Sequence, residues 1–153
     1  METALKLTRQ SNYAIRTLMY CAINESRLNR IGDIAAAYSI SELFLFKLIK
    51  SLVDNGLLVT VRGRGGGIRL GKPANEITLL DVLRLTEENF ALAECLDGET
   101  DCPLVGECDL NGALREALDA FFGVLKDYTI ADLAQSRRSL RTRLGLEPVF
   151  GAN

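Results

Sequence analysis

The chain of 153 residues contains no histidine. Without an imidazole it can form no Ser-His or Cys-His catalytic pair, no His-ligated zinc site and no Rieske-type iron–sulfur site. It also has no apolar run close to the roughly 20 residues that a membrane-spanning helix needs. Its charged, amphipathic start, "METALKLTRQSNYAIR", lacks the apolar segment of a signal peptide. The sequence therefore predicts a cytoplasmic protein without a membrane partner, in a compartment where structural disulfides are rare.

The chain does have an ordinary globular composition, with an uneven distribution of charge. Hydrophobic residues make up 48% and charged residues 25%, so a core can form. The net charge of −2 conceals two unlike halves. Residues 1–75 carry eleven Lys/Arg against five Asp/Glu, whereas residues 76–153 carry seven against fifteen. The basic amino-terminal half indicates a polyanion partner.

Apolar residues at helical spacing predict a mainly α fold with one small β-hairpin wing. Ser39 and Glu42 have the S-x-x-E spacing of a capping box at the start of the third helix, and Asn55 with Gly56 ends that helix. The predicted elements are helices near Thr8–Asn24, Ile31–Tyr38 and Glu42–Asp54, a hairpin of "LLVTV" and "GIRL", a short helix in "ITLLDVLRLTE", a long helix near Leu110–Lys126 and a capped restart at Thr129 and Asp132.

Two helices joined by a short turn and followed by a hairpin are the order of a winged helix-turn-helix, whose second helix enters the major groove of DNA. Near the start of that helix, Ser41, Glu42 and Phe44 are expected to reach base edges. Lys47 and Lys50 are expected to meet phosphates. Taken singly, each lysine is explained better as part of a solvated helix face, so the assignment depends on the hairpin that follows.

The hairpin tip, "VRGRGGGIRL", places Arg62, Arg64 and Arg69 around four glycines. Glycine allows the backbone to approach a surface closely, and arginine inserts readily into a narrow minor groove. A Gly-Arg loop can also bind a nucleotide phosphate, but this one lacks the Lys-Ser/Thr pair and following helix of a P-loop. Directly after the paired helices, it predicts a wing in which Arg62 and Arg64 contact double-stranded DNA.

The long predicted helix carries a wide apolar stripe of Leu114, Leu118, Phe121 and Leu125. The stripe either packs on its own domain or forms a homodimer interface, and a palindromic operator calls for a two-fold dimer. We predict the dimer. The predicted parts of the chain are a winged helix-turn-helix DNA-binding region (residues 1–75), a connecting helix with cysteine segment and dimerisation helix (residues 76–133) and a C-terminal tail (residues 134–153).

Three cysteines, Cys95, Cys102 and Cys108, lie in "ALAECLDGETDCPLVGECDL", which has neither a helical nor a strand pattern. Residues 85–109 contain eight acidic side chains and no basic one, as expected of a solvated loop. Structural zinc prefers four Cys or His ligands, usually with C-x-x-C pairs, which are missing. Buried inert thiols fit Cys21, in the apolar stretch "LMYCAI", but not three thiols in an acidic loop. A thiol–disulfide switch and a thiolate-held iron–sulfur cluster both remain open.

The chain resembles the Rrf2 family of bacterial winged-helix transcription regulators over roughly residues 5–145. The resemblance rests on "LTRQSNYAIRTLMY", "YSISELFLFKLIKSLVDNGLL", "VRGRGGGIRLGKPANEITLLDVL", the three-cysteine segment and "YTIADL". Within the family the chain is most similar to a rhizobial iron regulator, especially in "SELFLFK" and "ECLDGETDCPLVGEC". A nitric-oxide-sensing repressor is the second most similar member.

The resemblance implies a homodimer with a long dimerisation helix, in which each protomer binds one iron–sulfur cluster through Cys95, Cys102 and Cys108. In the iron regulators a [4Fe–4S] form represses iron-uptake genes. Iron loss converts that form through [2Fe–2S] to apo-protein, which releases DNA.

The fourth ligand is where the chain departs from the family pattern. Cluster-biogenesis regulators use a histidine three residues after the third cysteine, a position held here by Asn111. Some nitric-oxide sensors use an aspartate from the partner's first helix, and the matching position is Asn12. Water, a small molecule or a nearby carboxylate is equally open, and the carboxylates are Asp97, Glu99, Asp101, Glu107 and Asp109. Oxygen is a weaker ligand for iron than thiolate, so we predict a labile cluster.

The sequence thus predicts a transcriptional repressor whose operator affinity is set by a labile cluster that reports iron availability. It does not predict an enzyme. A nitric-oxide- or redox-responsive repressor is the alternative within this class. A cluster-bearing electron-transfer protein is the alternative from another class, but ferredoxin-type C-x-x-C spacing is missing and the Gly-Arg wing would have no role in it. Coupling between cysteine segment and DNA-reading helices is expected to run through the short helix and the first helix.

Overall fold

The structure, a computed structural model, describes residues 6–93, 96 and 101–146. In chain order its elements are α1 (Arg9–Ile23), α2 (Ile31–Tyr38), α3 (Glu42–Asp54), β1 (Leu58–Val61), β2 (Gly67–Leu70), a 3-10 turn (Ala74–Glu76), α4 (Leu79–Thr86), α5 (Asp109–Asp127), α6 (Ile130–Leu133) and α7 (Arg137–Arg143). The predicted mainly α fold with a two-stranded antiparallel hairpin is confirmed. No helix within the described ranges is long and apolar enough to cross a bilayer.

The core forms around α1, which packs against α3, the hairpin, α4 and α6. This helix begins after Thr8, whose hydroxyl accepts a hydrogen bond from the Ser11 amide at 3.2 Å and so satisfies one of the amides left free in a first turn. Fully buried apolar side chains come from all these elements, namely Ala14, Leu18, Leu45, Leu52, Ile68, Val82 and Ile130. The helix pair and the second half of the chain are therefore both built on α1.

The turn between α2 and α3 corrects one prediction. Ser39 does not cap α3, because it adopts a left-handed conformation (φ 53°) and its amide closes the end of α2. Ser41 is the cap instead, and its hydroxyl accepts from the Phe44 amide at 3.3 Å. Two serines stand two residues apart, and the capping-box pattern selected the earlier one. The predicted bounds of α3 and its end at Asn55 are confirmed.

The hairpin is hydrogen-bonded to the segment that connects α1 and α2. Strand β2 forms an additional antiparallel bridge with Asn29, whose amide donates to the Ile68 carbonyl at 2.9 Å and whose carbonyl accepts from the Ile68 amide at 2.8 Å. A Cβ on Gly67 would lie only 2.6 Å from the Asn29 carbonyl oxygen, so this approach requires glycine. The tip, residues 62–65, is exposed.

The start of α4 is joined to the end of α5. Thr78 caps α4 in a reciprocal capping box with Asp81, and Thr129 caps α6 in the same way with Asp132, which confirms the predicted cap. Backbone hydrogen bonds of 2.9 Å, from Leu79 to the Tyr128 carbonyl and from Ile130 to the Ile77 carbonyl, connect the two capped segments. The amino-terminal end of α4 is therefore in direct backbone contact with the segment that follows α5.

The segment predicted as a C-terminal tail contains the helix α7. Arg141 Nη1 donates to the Ile23 carbonyl at 3.3 Å and to Asn24 Oδ1 at 3.1 Å, which places a cation at the carboxyl end of α1. The sequence "RRSLRTR" of α7 has no apolar stripe, so helical periodicity gave no signal for it.

Candidate nucleic-acid interface and cysteine segment

The outward side of α3 is a mixed apolar and cationic surface. Lys47 and Lys50 are exposed on it, and Lys50 Nζ lies 2.8 Å from Asp54 Oδ2. Leu43 and Phe46 lie beside them, 67% and 52% exposed. The opposite side of α3 is buried in the core. We refer to Leu43, Phe46, Lys47 and Lys50 as the reading face.

The three residues predicted to reach base edges have different surroundings. Ser41 and Glu42 are exposed at the start of α3, although the Ser41 hydroxyl also caps the helix. Phe44 is half-buried, and its ring packs edge-on against Tyr13 with centroids 5.8 Å apart. The Arg9 guanidinium carbon lies 4.8 Å from the Phe44 ring centroid, a cation–π contact. Phe44 thus attaches α3 to the first turns of α1.

Phe46 is an exposed aromatic residue of the reading face that the sequence pattern did not identify. Phe44 and Phe46 lie on opposite flanks of the buried stripe of α3, which consists of Leu45, Leu48, Ile49 and Leu52. Helical periodicity identifies the stripe but does not tell which flank α1 covers, and α1 covers the flank of Phe44.

The wing presents three exposed arginines. Arg62 and Arg64 lie at the tip and Arg69 lies on β2. Gly63 lies between the two tip arginines and Gly65 follows Arg64, and their φ values of 101° and 76° are ones that residues other than glycine rarely adopt. The predicted pattern of arginines on a glycine turn is therefore present as an exposed cationic hairpin.

Two of the three predicted ligand thiols lie within the described residues. Cys102 is exposed, and Cys108 is half-buried at the N-cap position of the 19-residue helix α5. Cys95, Asp97 and Glu99 lie outside the described residues. Within the described part of the chain, no three Cys, Asp or Glu side chains are grouped so that they could hold a metal ion.

Cys21 differs from these thiols. It is buried in α1, and burial raises the pKa of its thiol to about 12. The thiol therefore remains protonated at neutral pH, which fits the inert core cysteine that the sequence predicted.

The fourth-ligand candidates divide into engaged amides and exposed carboxylates. Asn111 Oδ1 accepts a hydrogen bond from Arg115 Nε at 2.9 Å. Asn12 Nδ2 donates to the Thr8 carbonyl at 3.2 Å. Both amides thus bond within their own helices. The carboxylates in the described part of the segment are exposed, and they are Asp101, Glu107 and Asp109.

A carboxylate at the end of α4 holds the start of α1. Glu87 Oε1 accepts from the Thr8 amide at 2.8 Å, from the Thr8 hydroxyl at 3.0 Å and from the Ser11 hydroxyl. Ser11 is fully buried, and its Oγ lies 2.6 Å from Thr86 Oγ1. A negative charge is favourable at a helix amino terminus. The partners are far apart in sequence, so no local pattern could have revealed this network.

The apolar stripe of α5 is divided between two environments. Leu114, Leu118 and Leu125 are half-buried, and no residue of α5 is fully buried. A second set of apolar side chains is exposed along the helix at spacings of three or four residues. This exposed stripe consists of Leu110, Ala113, Ala117, Phe121 and Val124. An exposed apolar stripe over most of a helix is typical of a surface that another chain covers.

Comparison with known proteins identifies the family. The Rrf2 family, described as "Iron-dependent Transcriptional regulator", matches residues 7–136. The chain is 58% identical over 144 residues to Protein aau3 of Rhizobium meliloti, which covers 94% of each chain. It is 46% identical over 142 residues to the HTH-type transcriptional regulator NsrR of Geobacillus kaustophilus, covering 92% of this chain and 97% of that protein.

Solved structures agree in fold. CymR, the global cysteine regulator of B. subtilis, matches with a TM-score of 0.73 and 26% identity over 86% of this chain and 98% of that chain. IscR of T. potens matches with a TM-score of 0.72 and 21% identity, over 92% of this chain and 94% of that chain. The high identity to a rhizobial protein is consistent with the predicted similarity to the rhizobial iron regulator RirA. The identity to NsrR is consistent with the predicted similarity to a nitric-oxide-sensing repressor. The chain therefore belongs to the Rrf2 family of winged-helix transcriptional regulators.

Proposed function

We propose that the chain is a homodimeric DNA-binding repressor whose operator affinity is set by a labile iron–sulfur cluster, and that it reports iron availability to iron-uptake genes. The position of the cysteine segment carries this proposal. The segment follows Glu87, which holds the start of α1, and ends at Cys108, where α5 begins. The description of the family as iron-dependent supports the same conclusion.

The DNA-binding half of the proposal rests on exposed cations at two places. Lys47 and Lys50 lie on the reading face of α3, and Arg62 and Arg64 on the tip of the wing. The helix enters the major groove, the lysines meet phosphates, and the wing arginines contact the flanking minor groove of a palindromic double-stranded operator. Ser41 and Glu42 are exposed at the start of the helix and reach base edges.

The metal-binding half of the proposal assigns the cluster ligands to Cys95, Cys102 and Cys108. The two described thiols fit this role, because they are accessible and one of them begins a long helix. A thiolate-held [4Fe–4S] cluster, convertible to [2Fe–2S], supplies an iron-dependent centre that is labile when one corner has an oxygen ligand. Asn111 Oδ1 already accepts a hydrogen bond from Arg115, so we assign the fourth corner to a carboxylate of the segment, a small molecule or solvent.

Coupling between the segment and the DNA-reading helix follows contiguous contacts. Glu87 bonds to Thr8 at the start of α1. One turn later Tyr13 packs on Phe44, near the start of α3. A shift of Glu87 therefore displaces the first turns of α1, and with them the helix that reads DNA. The coupling between the two sites, measured in variants of Glu87, tests this path.

The function is tested by comparing loaded and iron-depleted protein. Protein purified without oxygen is expected to be coloured, to contain iron and to bind its operator. Mild chelation should weaken operator binding by roughly 5- to 150-fold, the usual range of allosteric coupling. A colourless protein that binds DNA tightly, with no change on chelation, would exclude the cluster-sensing function and leave a cluster-free regulator.

Nitric oxide is a second candidate signal, favoured by the 46% identity to an NsrR protein. The same binding measurement separates the two candidates. If the protein releases the operator when a chelator lowers free iron within the range that occurs in cells, the result favours iron sensing. If it releases the operator on addition of stoichiometric nitric oxide but not of the chelator, the result favours the NsrR-like function.

The Glu87→Ala variant tests the coupling path. It removes the acceptor for three donors at the start of α1, so we expect full cluster content but a smaller difference in operator affinity between loaded and chelated protein. The matched control is Glu88→Ala, which removes an exposed neighbouring carboxylate and should keep the wild-type difference. An unchanged difference in the Glu87 variant would contradict the path, as would loss of its cluster.

A further inference from the structure

The reading face of α3 combines two exposed apolar side chains with two cations. Leu43 is the second residue of α3 and 67% exposed, and Phe46 is the fifth and 52% exposed. They are three residues apart and therefore neighbours on the helix surface. Lys47 lies four residues after Leu43, and Lys50 four after Phe46, so each apolar group has a cation one turn away.

This combination of apolar groups and cations matches the base edges inside a DNA major groove and the phosphates that border it. The phosphates at the rim attract cations, and the only apolar group that the base pairs expose in the major groove is the C5-methyl group of thymine. Residues in the first turns of a recognition helix are the ones that contact base edges. Lys50 is paired with Asp54, whose Oδ2 lies 2.8 Å from its Nζ, so Lys47 is the cation that this face offers to a partner. Together with the exposed Arg62 and Arg64 of the wing, this positive charge favours DNA as the occupant over an apolar protein partner.

We propose that Leu43 and Phe46 are specificity-determining residues that contact thymine methyl groups in each operator half-site, while Lys47 contacts the backbone beside them. This inference rests on the proposed operator binding and extends it to the operator's composition. It also reassigns the aromatic base contact from Phe44, whose ring is packed against Tyr13, to Phe46.

Replacement of thymine by deoxyuridine tests the proposal, because it removes the methyl group and leaves the base pairing intact. The full-length protein, purified without oxygen, is first used to select duplexes from a random library. Its affinity is then measured for the selected duplex and for duplexes with single thymine-to-deoxyuridine replacements. At the contacted positions we expect affinity to fall about fourfold per methyl, the effect of exposing one methylene-sized group.

Three variants assign the effect to side chains. Leu43→Ala and Phe46→Ala should each lose the preference for thymine over deoxyuridine at one position of the half-site. Both residues are exposed, so the variants should fold with wild-type stability. Lys47→Ala is the matched control on the same face, and it should weaken binding to both duplexes equally because a phosphate contact does not detect the methyl group.

Each outcome decides the proposal. Operator binding that is indifferent to every deoxyuridine replacement overturns the methyl contact and leaves the proposed DNA-binding function intact. A preference for thymine that persists in both alanine variants shows that other residues read the methyl groups, which also overturns it. Failure to select any duplex overturns the DNA-binding function and this inference together.

Discussion

The Cys102→Ala variant is expected to contain no stable iron–sulfur cluster, and its operator affinity should no longer respond to chelation. Removing one of three thiolates leaves the cluster with at most two strong ligands. Cys102 is exposed, so its loss opens no cavity, and the free energy of unfolding of the apo-protein should change by less than about 0.5 kcal/mol. Iron per protomer, visible absorption and chemical unfolding measure these effects on one preparation.

Two control variants separate the cluster from the fold and from DNA binding. Cys21→Ala removes a buried, protonated thiol, so it should lower stability by about 1 kcal/mol and retain the cluster. Arg64→Ala should retain the cluster and weaken operator binding. The slope of the logarithm of the binding constant against the logarithm of the salt concentration should become shallower by about one. Wild-type iron content in the Cys102 variant would exclude this thiol as a ligand. Reduced iron in the Arg64 variant would argue against separate roles for wing and segment.

The sequence predicted those parts of the fold that depend on local chemistry. Helical periodicity and the Asn55-Gly56 signal predicted the approximate bounds of α3, which the structure confirms, and the Thr129–Asp132 pattern predicted the cap of α6. The glycine-arginine tip predicted an exposed hairpin, because only glycine adopts such turns at little cost. The capping-box spacing pointed to Ser39, whereas Ser41 caps the helix, because Ser39 is used in the left-handed end of α2.

What the sequence could not predict depends on contacts between distant segments. The network from Glu87 to Thr8 and Ser11 joins residues more than 70 positions apart. Whether Phe44 or Phe46 faces solvent depends on which flank of α3 packs against α1. In the same way, the apolar stripe of α5 was evident from periodicity, but its division into half-buried and exposed sides follows from how α5 lies on the rest of the protein.

The Val124→Glu variant is expected to be a monomer at concentrations where the wild-type protein is a dimer. Val124 belongs to the exposed stripe of α5 and is 56% exposed, so the substitution costs the isolated protomer little. In a dimer that buries this stripe, the same carboxylate would be desolvated without a partner, at a cost of several kcal/mol. A monomer engages one half-site at a time, so operator affinity should fall by about 10²- to 10⁴-fold. Sedimentation and operator binding measure the two effects.

Gly123→Glu is the matched control, because it introduces the same charge one residue earlier on the same helix. A Cβ at Gly123 meets nothing within 4 Å, and glutamate is the better helix former by roughly 0.5–1 kcal/mol. This variant should remain dimeric and bind the operator like the wild type. Dimers in both variants would show that the exposed stripe is not the interface, and monomers in both would show that charge alone disrupts the dimer. Because the variants have the same net charge, a monomer only at Val124→Glu must reflect which side of α5 the second protomer covers.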